Sequence, residues 1–227
     1  MPFQDLPARL AEVKARIELA RERGGHGQTV TIVAVTKTYG SDAVVAAWDA
    51  GLRDVGENRV QEARAKMADV NAPLRWHLIG HLQRNKAKQL AGFQLVHSMD
   101  SARLADALDE QGRLREHPMD VLLQVNVSGE GTKGGYELAD VRQEAVRLRG
   151  MAGLAVRGAM TMAPFDADES TLRRVFAGTR QAAAALRDAG HDASVLSMGM
   201  SGDYEVAVEE GATLVRLGTV LFGARPA

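Results

Sequence analysis

Val30-Thr31-Ile32-Val33-Ala34-Val35, followed by Thr36-Lys37-Thr38-Tyr39-Gly40 and then Ser41-Asp42, is the stretch that decides the fold. The first six residues are rich in β-branched apolar side chains and read as a buried strand. Ser41-Asp42 can cap a helix that reaches Ala50 before Gly51. The turn between strand and helix lacks the G-x-G-x-x-G order that an open dinucleotide-binding sheet places after its first strand.

The same strand-then-helix unit recurs outward from there. Short apolar runs fall at 53–56, 76–80, 95–99, 121–127, 155–162, 195–199 and 214–218, so with 30–35 there are eight strand candidates. Helical stripes lie between them: one capped at Asp100-Ser101 with Leu104 and Leu108, one with Leu138, Val141, Ala145 and Leu148 closed by Gly150, and a long one over 169–189 stopped by Gly190. Strand starts are 19 to 40 residues apart, which leaves room for a helix in every crossover, as parallel pairing requires. Upstream, Leu6, Leu10, Val13 and Ile17 share a helical face that ends at Gly24-Gly25. The spacing predicts an α/β fold: a single (β/α)8 TIM-type barrel over residues 1–227 with an extra N-terminal helix.

Composition narrows the function classes. With 28 basic and 29 acidic residues in 227, the net charge of −1 gives no bulk field for a polyanion, and ten aromatics make a poor base-stacking platform, so no nucleic-acid partner is expected. The absence of cysteine removes thiolate nucleophiles, Cys-ligated zinc and iron–sulfur clusters. The N-terminus lacks a basic start with an apolar stretch behind it, and no apolar run approaches the roughly 18 residues that span a bilayer. A soluble, cytoplasmic protein with no membrane partner is expected.

Barrel chemistry gathers at the C-terminal strand ends. Lys37 ends the first strand, where apolar surroundings lower an amine's pKa and free it to attack a carbonyl and form a Schiff base; the alternative is a lysine that snorkels into solvent. After the seventh strand comes Ser197-Met198-Gly199-Met200-Ser201-Gly202-Asp203, and after the eighth Arg216-Leu217-Gly218-Thr219. Small residues and hydroxyls there suit a phosphate, though they also make ordinary turns. Arg216 shares its strand side with Gly218 and points inward, which demands a partner: a phosphate, a ring nitrogen or a carboxylate such as Glu57. A Schiff-base lysine, a phosphate cradle and an inward arginine describe a pyridoxal 5′-phosphate site; the first two would also suit a class I Schiff-base aldolase.

Ordered motifs extend along nearly the whole chain: residues 33–38, 56–62, 76–83 (Trp-His-Leu-Ile-Gly-His-Leu-Gln), 97–101, 124–128, 158–164, 197–203 and 215–223. In these the chain resembles the pyridoxal-phosphate homeostasis proteins, which are similar to the barrel domain of fold-type III alanine racemases without its second domain. The resemblance implies that Lys37 carries the cofactor, that Ser201, Gly218 and Thr219 hold its phosphate, that Arg216 faces the pyridine nitrogen, and that Asn58 and His77 line the ring. It also implies a carrier or buffer in pyridoxal 5′-phosphate homeostasis rather than an enzyme: arginine cannot in practice give the ring nitrogen a proton, and the racemases' second base comes from the missing domain. A weak racemase-like or decarboxylase-like enzyme is the alternative. Apo-enzymes that use the cofactor are the implied protein partners, and a monomer is expected. The chain departs from the family pattern at Tyr39-Gly40, where Lys-Pro is frequent, which leaves the loop shape open.

Three other signals are set aside. His77 and His81 stand four apart, but the first is read as ending a strand and the second as starting a helix, so no metal site is expected. The glycine-rich tract 129–135 lacks the order of a nucleotide loop and reads as a lid from which Lys133 could reach the mouth. Arg84, Lys86 and Lys88 read as a solvated basic face.

Overall fold

Eight parallel strands close on themselves in sequence order: β1 (Thr31–Val35), β2 (Asp54–Glu57), β3 (Arg75–Leu78), β4 (Phe93–Met99), β5 (Met119–Gln124), β6 (Leu154–Met160), β7 (Val195–Ser197) and β8 (Leu214–Leu217). Residues 3–129 and 134–223 are described in this computed structural model. The α/β TIM-type barrel expected from the strand spacing is present, and helix α1 (Leu6–Gly24) precedes it. Gly25 ends α1 in the left-handed conformation, φ 67°, with its N–H donating to the Arg21 carbonyl.

The pleat sorts side chains into two apolar layers. Ile32 and Ala34 pack outward, in one large cluster with the helices, whereas Val33 joins Leu95, Leu122, Met160 and Leu214 in a small separate cluster inside the barrel. Lys37 follows two residues after the end of β1, at the C-terminal mouth of the barrel. On β8 alternation turns Val215 and Leu217 outward and Arg216 inward, and Val33 and Arg216 are register partners.

Around the barrel lie α2 (Ser41–Asp49), α3 (Val60–Asp69), α4 (Ala102–Gly112), α5 (Val141–Leu148), α6 (Glu169–Asp188), α7 (Tyr204–Glu209) and α8 (Thr219–Phe222). One crossover differs from expectation. Between β3 and β4 the chain forms only a 3-10 helix, Arg84–Gln89, because this run has a single buried apolar residue, Ala87, and no stripe to anchor an α-helix. His81 thus lies in a loop ahead of it, exposed and bonded through Nδ1 to Asp100 at 2.8 Å, rather than at a helix start. One cap also differs: Gly40 takes the cap position of α2 while Ser41 Oγ donates to Asp69. Ser101 caps α4 at the expected position, without a side-chain bond to its backbone. The stripe from Leu138 begins as a 3-10 turn, Leu138–Asp140, before α5. Residues 130–133, the centre of the expected lid with Lys133, lie outside the described residues. Among the described residues no helix is long and apolar enough to cross a membrane.

The β6–β7 contact requires glycine at 158. Its φ is 153°, and a Cβ there would stand 1.8 Å from the Val195 carbonyl oxygen. Gly158→Ala should therefore lower unfolding free energy by about 3 kcal/mol or more, measured by urea denaturation, as overpacking against backbone cannot relax by a rotamer change.

Candidate functional site

Lys37 leaves β1 through a turn whose backbone is held from behind. Thr36 N–H donates to the Gly56 carbonyl at 3.1 Å, Thr36 Oγ1 donates to Glu57 Oε1 at 2.6 Å, and Lys66 Nζ donates both to the Thr36 carbonyl at 2.8 Å and to Glu57 Oε1 at 2.6 Å. Thr36, Glu57 and Lys66 are all buried. Burial pushes the Glu57 carboxyl above its ordinary value, against the pull of Lys66 and Thr36. Glu57 faces outward toward α3, so it is Lys66, not Arg216, that it meets. The parity of β2 explains this correction: Val55 packs in the outer layer and so does Glu57, two residues on.

Inside the barrel, Arg216 finds its partners on β7 and just beyond β6. Its Nη1 donates to the Ser197 carbonyl at 2.7 Å and to Ser197 Oγ at 2.6 Å, and its Nη2 to the Thr161 carbonyl at 2.8 Å. Burial lowers its pKa to about 10, offset in part by Asp203. Ser197 Oγ also meets His97 Nδ1 at 2.9 Å, His97 Nε2 meets His77 Nδ1 at 2.9 Å, and His77 Nε2 meets Asp54 Oδ1 at 3.0 Å. Arg75 closes the series with a two-pronged contact to Asp54 at 2.7 and 2.5 Å. His77 is thus engaged at both ring nitrogens within the barrel. Among the described residues no three His, Cys, Asp or Glu side chains gather as metal ligands.

The loops after β7 and β8 meet through Ser201. Its Oγ accepts from Gly218 N–H and Val220 N–H, each at 3.3 Å, which draws Ser201, Gly218 and Thr219 together. Gly218 lies against Val35, near the end of the strand that carries Lys37: a Cβ on Gly218 would stand 3.4 Å from the Val35 carbonyl oxygen. Asn58 follows β2 at the same end of the barrel, and its backbone is so close to Gly80 that a Cβ there would be 2.4 Å from the Asn58 carbonyl oxygen. Tyr39 accounts for the loop after Lys37. Its ring packs against Phe3 and Phe222, and its hydroxyl donates to the Gly223 carbonyl at 3.0 Å.

Residues 8–226 match the family model of the alanine racemase N-terminal domain. The pyridoxal phosphate homeostasis protein of Pseudomonas aeruginosa is 44% identical over 219 residues, spanning 95% of this chain and 94% of that one. The chain belongs to this family. The Escherichia coli member is 38% identical over 98% of both chains. The solved structure of PipY from Synechococcus elongatus with PLP bound superposes with a TM-score of 0.85 at 36% identity, covering 96% of this chain and all of that one.

Several participants in this family member's site were not singled out from sequence. Lys66 carried a signal, since Val60, Ala63 and Lys66 fall three apart on the buried face of α3. His97 and Asp54 carried a weaker one, as polar residues at inward positions of apolar strands; that they meet His77 is a matter of register between strands. Two outcomes follow. Lys66→Met leaves a buried carboxyl without its cation and should cost about 3 kcal/mol of stability in urea denaturation, most of it recovered in the Lys66→Met/Glu57→Gln double variant. Burial would raise the Asp54 pKa, but its bonds to His77 and Arg75 hold it below the ordinary 3.8. Asp54 therefore stabilises the fold above pH 3.8, and its contribution is lost as pH falls through the folded-state pKa. Asp54→Asn should flatten this acid limb of thermal stability measured against pH.

Proposed function

We propose that this chain binds pyridoxal 5′-phosphate through a Schiff base on Lys37 and serves as an intracellular carrier or buffer of it, handing it to apo-enzymes with little or no turnover of amino acids. The observation that carries this reading is the arrangement at the C-terminal end of β8: Arg216 enclosed in the barrel, and, just beyond the strand, Gly218 and Thr219 drawn to Ser201 beside the end of β1. The donor set suits the group. Backbone N–H groups and hydroxyls of Ser201, Gly218 and Thr219 suit the phosphate, the Lys37 amine suits the aldehyde, and Arg216 suits a pyridine nitrogen left unprotonated. Asn58 and His77 are assigned to the surroundings of the ring, His77 acting from within the barrel.

When bound, the cofactor supplies an electron sink for carbanions, and a donor that keeps its own proton makes that sink a poor one. The tyrosines argue the same way. Tyr39 donates to Gly223, Tyr136 donates to Glu144 with its pKa driven far up by burial and that carboxylate, and burial also raises Tyr204. Tyr136 and Tyr204 are thereby held further from exchanging protons at pH 7 as a second base, and the Tyr39 hydroxyl is engaged with a backbone carbonyl. The parallel with PipY, solved with PLP bound, supports the choice of ligand.

Purified protein mixed with pyridoxal 5′-phosphate should turn yellow, and borohydride should fix the pigment on the peptide that contains Lys37. Lys37→Ala should abolish the adduct. Attachment to another side chain would overturn the assignment. Solvent deuterium entering the α-position of D- or L-alanine at a useful rate would overturn the carrier reading in favour of a racemase-like enzyme.

A further inference from the structure

The side chains that join Arg75 to Arg216 form one continuous series through the barrel, and its two ends dictate the direction of every bond within it. Arg216 can only donate, and ionised Asp54 can only accept. His77 must then present Nε2–H to Asp54 and accept at Nδ1, so His97 must donate from Nε2–H and accept at Nδ1, and Ser197 must give its hydroxyl proton to His97 while accepting from Arg216. With both imidazoles neutral no other assignment satisfies all four contacts. The reverse one would set a bare His77 nitrogen against a carboxylate.

We propose that Asp54, His77, His97 and Ser197 are positioning residues for the cofactor site, a directional relay in which the tautomer of His97 reports the protonation of His77 to Arg216. The proposal rests on the reading of Arg216 as the group that meets the pyridine nitrogen. One proton taken from solvent reverses the series. The Nε2 proton of His97 passes to His77 Nδ1, the Ser197 hydroxyl proton passes to His97 Nδ1, and the solvent proton replaces it on Ser197. Charge then rests on His77 beside Asp54, and His97 remains neutral with its proton on Nδ1. Ser197 Oγ now accepts from both His97 and Arg216, and its own proton is free to turn elsewhere.

The surroundings favour this placement of charge. His77 on β3 faces Asp54 on β2, with Arg75 bonded to the far side of that carboxylate, and His97 on β4. His97 also has Ser197 on β7 beside it and the Arg216 cation beyond, with Asp203 acting on Arg216 from the loop before α7. Full burial, His77 and Arg216 together hold His97 well below its ordinary pKa, so His97 flips between tautomers without itself becoming the cation. Asp54 and Arg75 line a recess of about 560 Å³ at the N-terminal face of the barrel, with Lys14, Arg21 and Arg53. The relay thereby links the face opposite the mouth to the site at the mouth.

Nitrogen-15 NMR of histidine-labelled protein without cofactor tests the relay apart from the cofactor reading. At neutral pH both His77 and His97 should be Nε2–H tautomers. As His77 titrates on acidification, His97 should convert to the Nδ1–H tautomer with the same midpoint. Asp54→Asn should lower that midpoint by about one pH unit or more, through loss of an adjacent negative charge, and His77→Gln should make the His97 tautomer independent of pH. In protein loaded with pyridoxal 5′-phosphate, the visible band should shift with the midpoint seen for His77, and this shift should vanish in His77→Gln. An Nδ1–H His97 at neutral pH, a His97 tautomer unmoved while His77 titrates, a His77 that stays neutral until the fold is lost, or a midpoint unchanged in Asp54→Asn would overturn the relay. A working relay with an unresponsive visible band would overturn its link to the site. Failure to form any pigment would count against the cofactor reading and leave the apo-protein result standing.

Discussion

A guanidinium enclosed by a β-barrel cannot be left without acceptors, and the burial of Arg216 sets the terms for much of the interior. Five N–H donors in a fixed plane need oxygens, and the barrel supplies the carbonyls of Ser197 and Thr161 and the hydroxyl of Ser197. Desolvation still lowers its pKa to about 10, which leaves it cationic at physiological pH. An interior filled with leucine and valine would be simpler to pack. The small apolar cluster of Val33, Leu95, Leu122, Met160 and Leu214 shows how much of the axis has been ceded to polar residues.

Strand parity keeps two polar systems apart. The series from Asp54 to Arg216 lies within the barrel, and Thr36, Glu57 and Lys66 lie between the barrel and α3. Glu57 and Asp54 are three apart on one short strand and so face opposite sides. Their environments push them in opposite directions: burial dominates at Glu57, whereas two cooperating donors win at Asp54. The inner system addresses the buried Arg216 and the outer one the strand end that carries Lys37. Each can be altered by substitution without touching the other, as expected for groups that share no partner.

The architecture was legible because it depends on local pattern. Eight short apolar runs with helical stripes between them leave few alternatives to a closed barrel, and Lys37, Ser201, Gly218 and Thr219 stood out because they sit where strands end. What escaped depends on which strand position faces which. Offering Glu57 as one of three possible partners for Arg216 overlooks the parity of β2. The 3-10 crossover at Arg84–Gln89 was misjudged because a gap long enough for a helix says nothing about whether its residues can anchor one. Tyr39, the point of departure from the family pattern, is explained by Phe3, Phe222 and the Gly223 carbonyl, which lie toward the two ends of the described chain.

The turn after β1 shows how a chain can position a lysine through its backbone. Thr38 takes a φ of 70°, a left-handed conformation that costs a branched residue about 1–2 kcal/mol. That strain persists because both flanks are fixed. Thr36 is held at its N–H, carbonyl and hydroxyl, and Tyr39 is held by two rings and the Gly223 carbonyl. Each such bond contributes about 1 kcal/mol, so together they outweigh the strain. For the proposed role of Lys37, taking up a cofactor and giving it back, this arrangement has a chemical advantage. Precision resides in Thr36 and Tyr39, so the Lys37 amine can exchange partners without disturbing the turn that aims it.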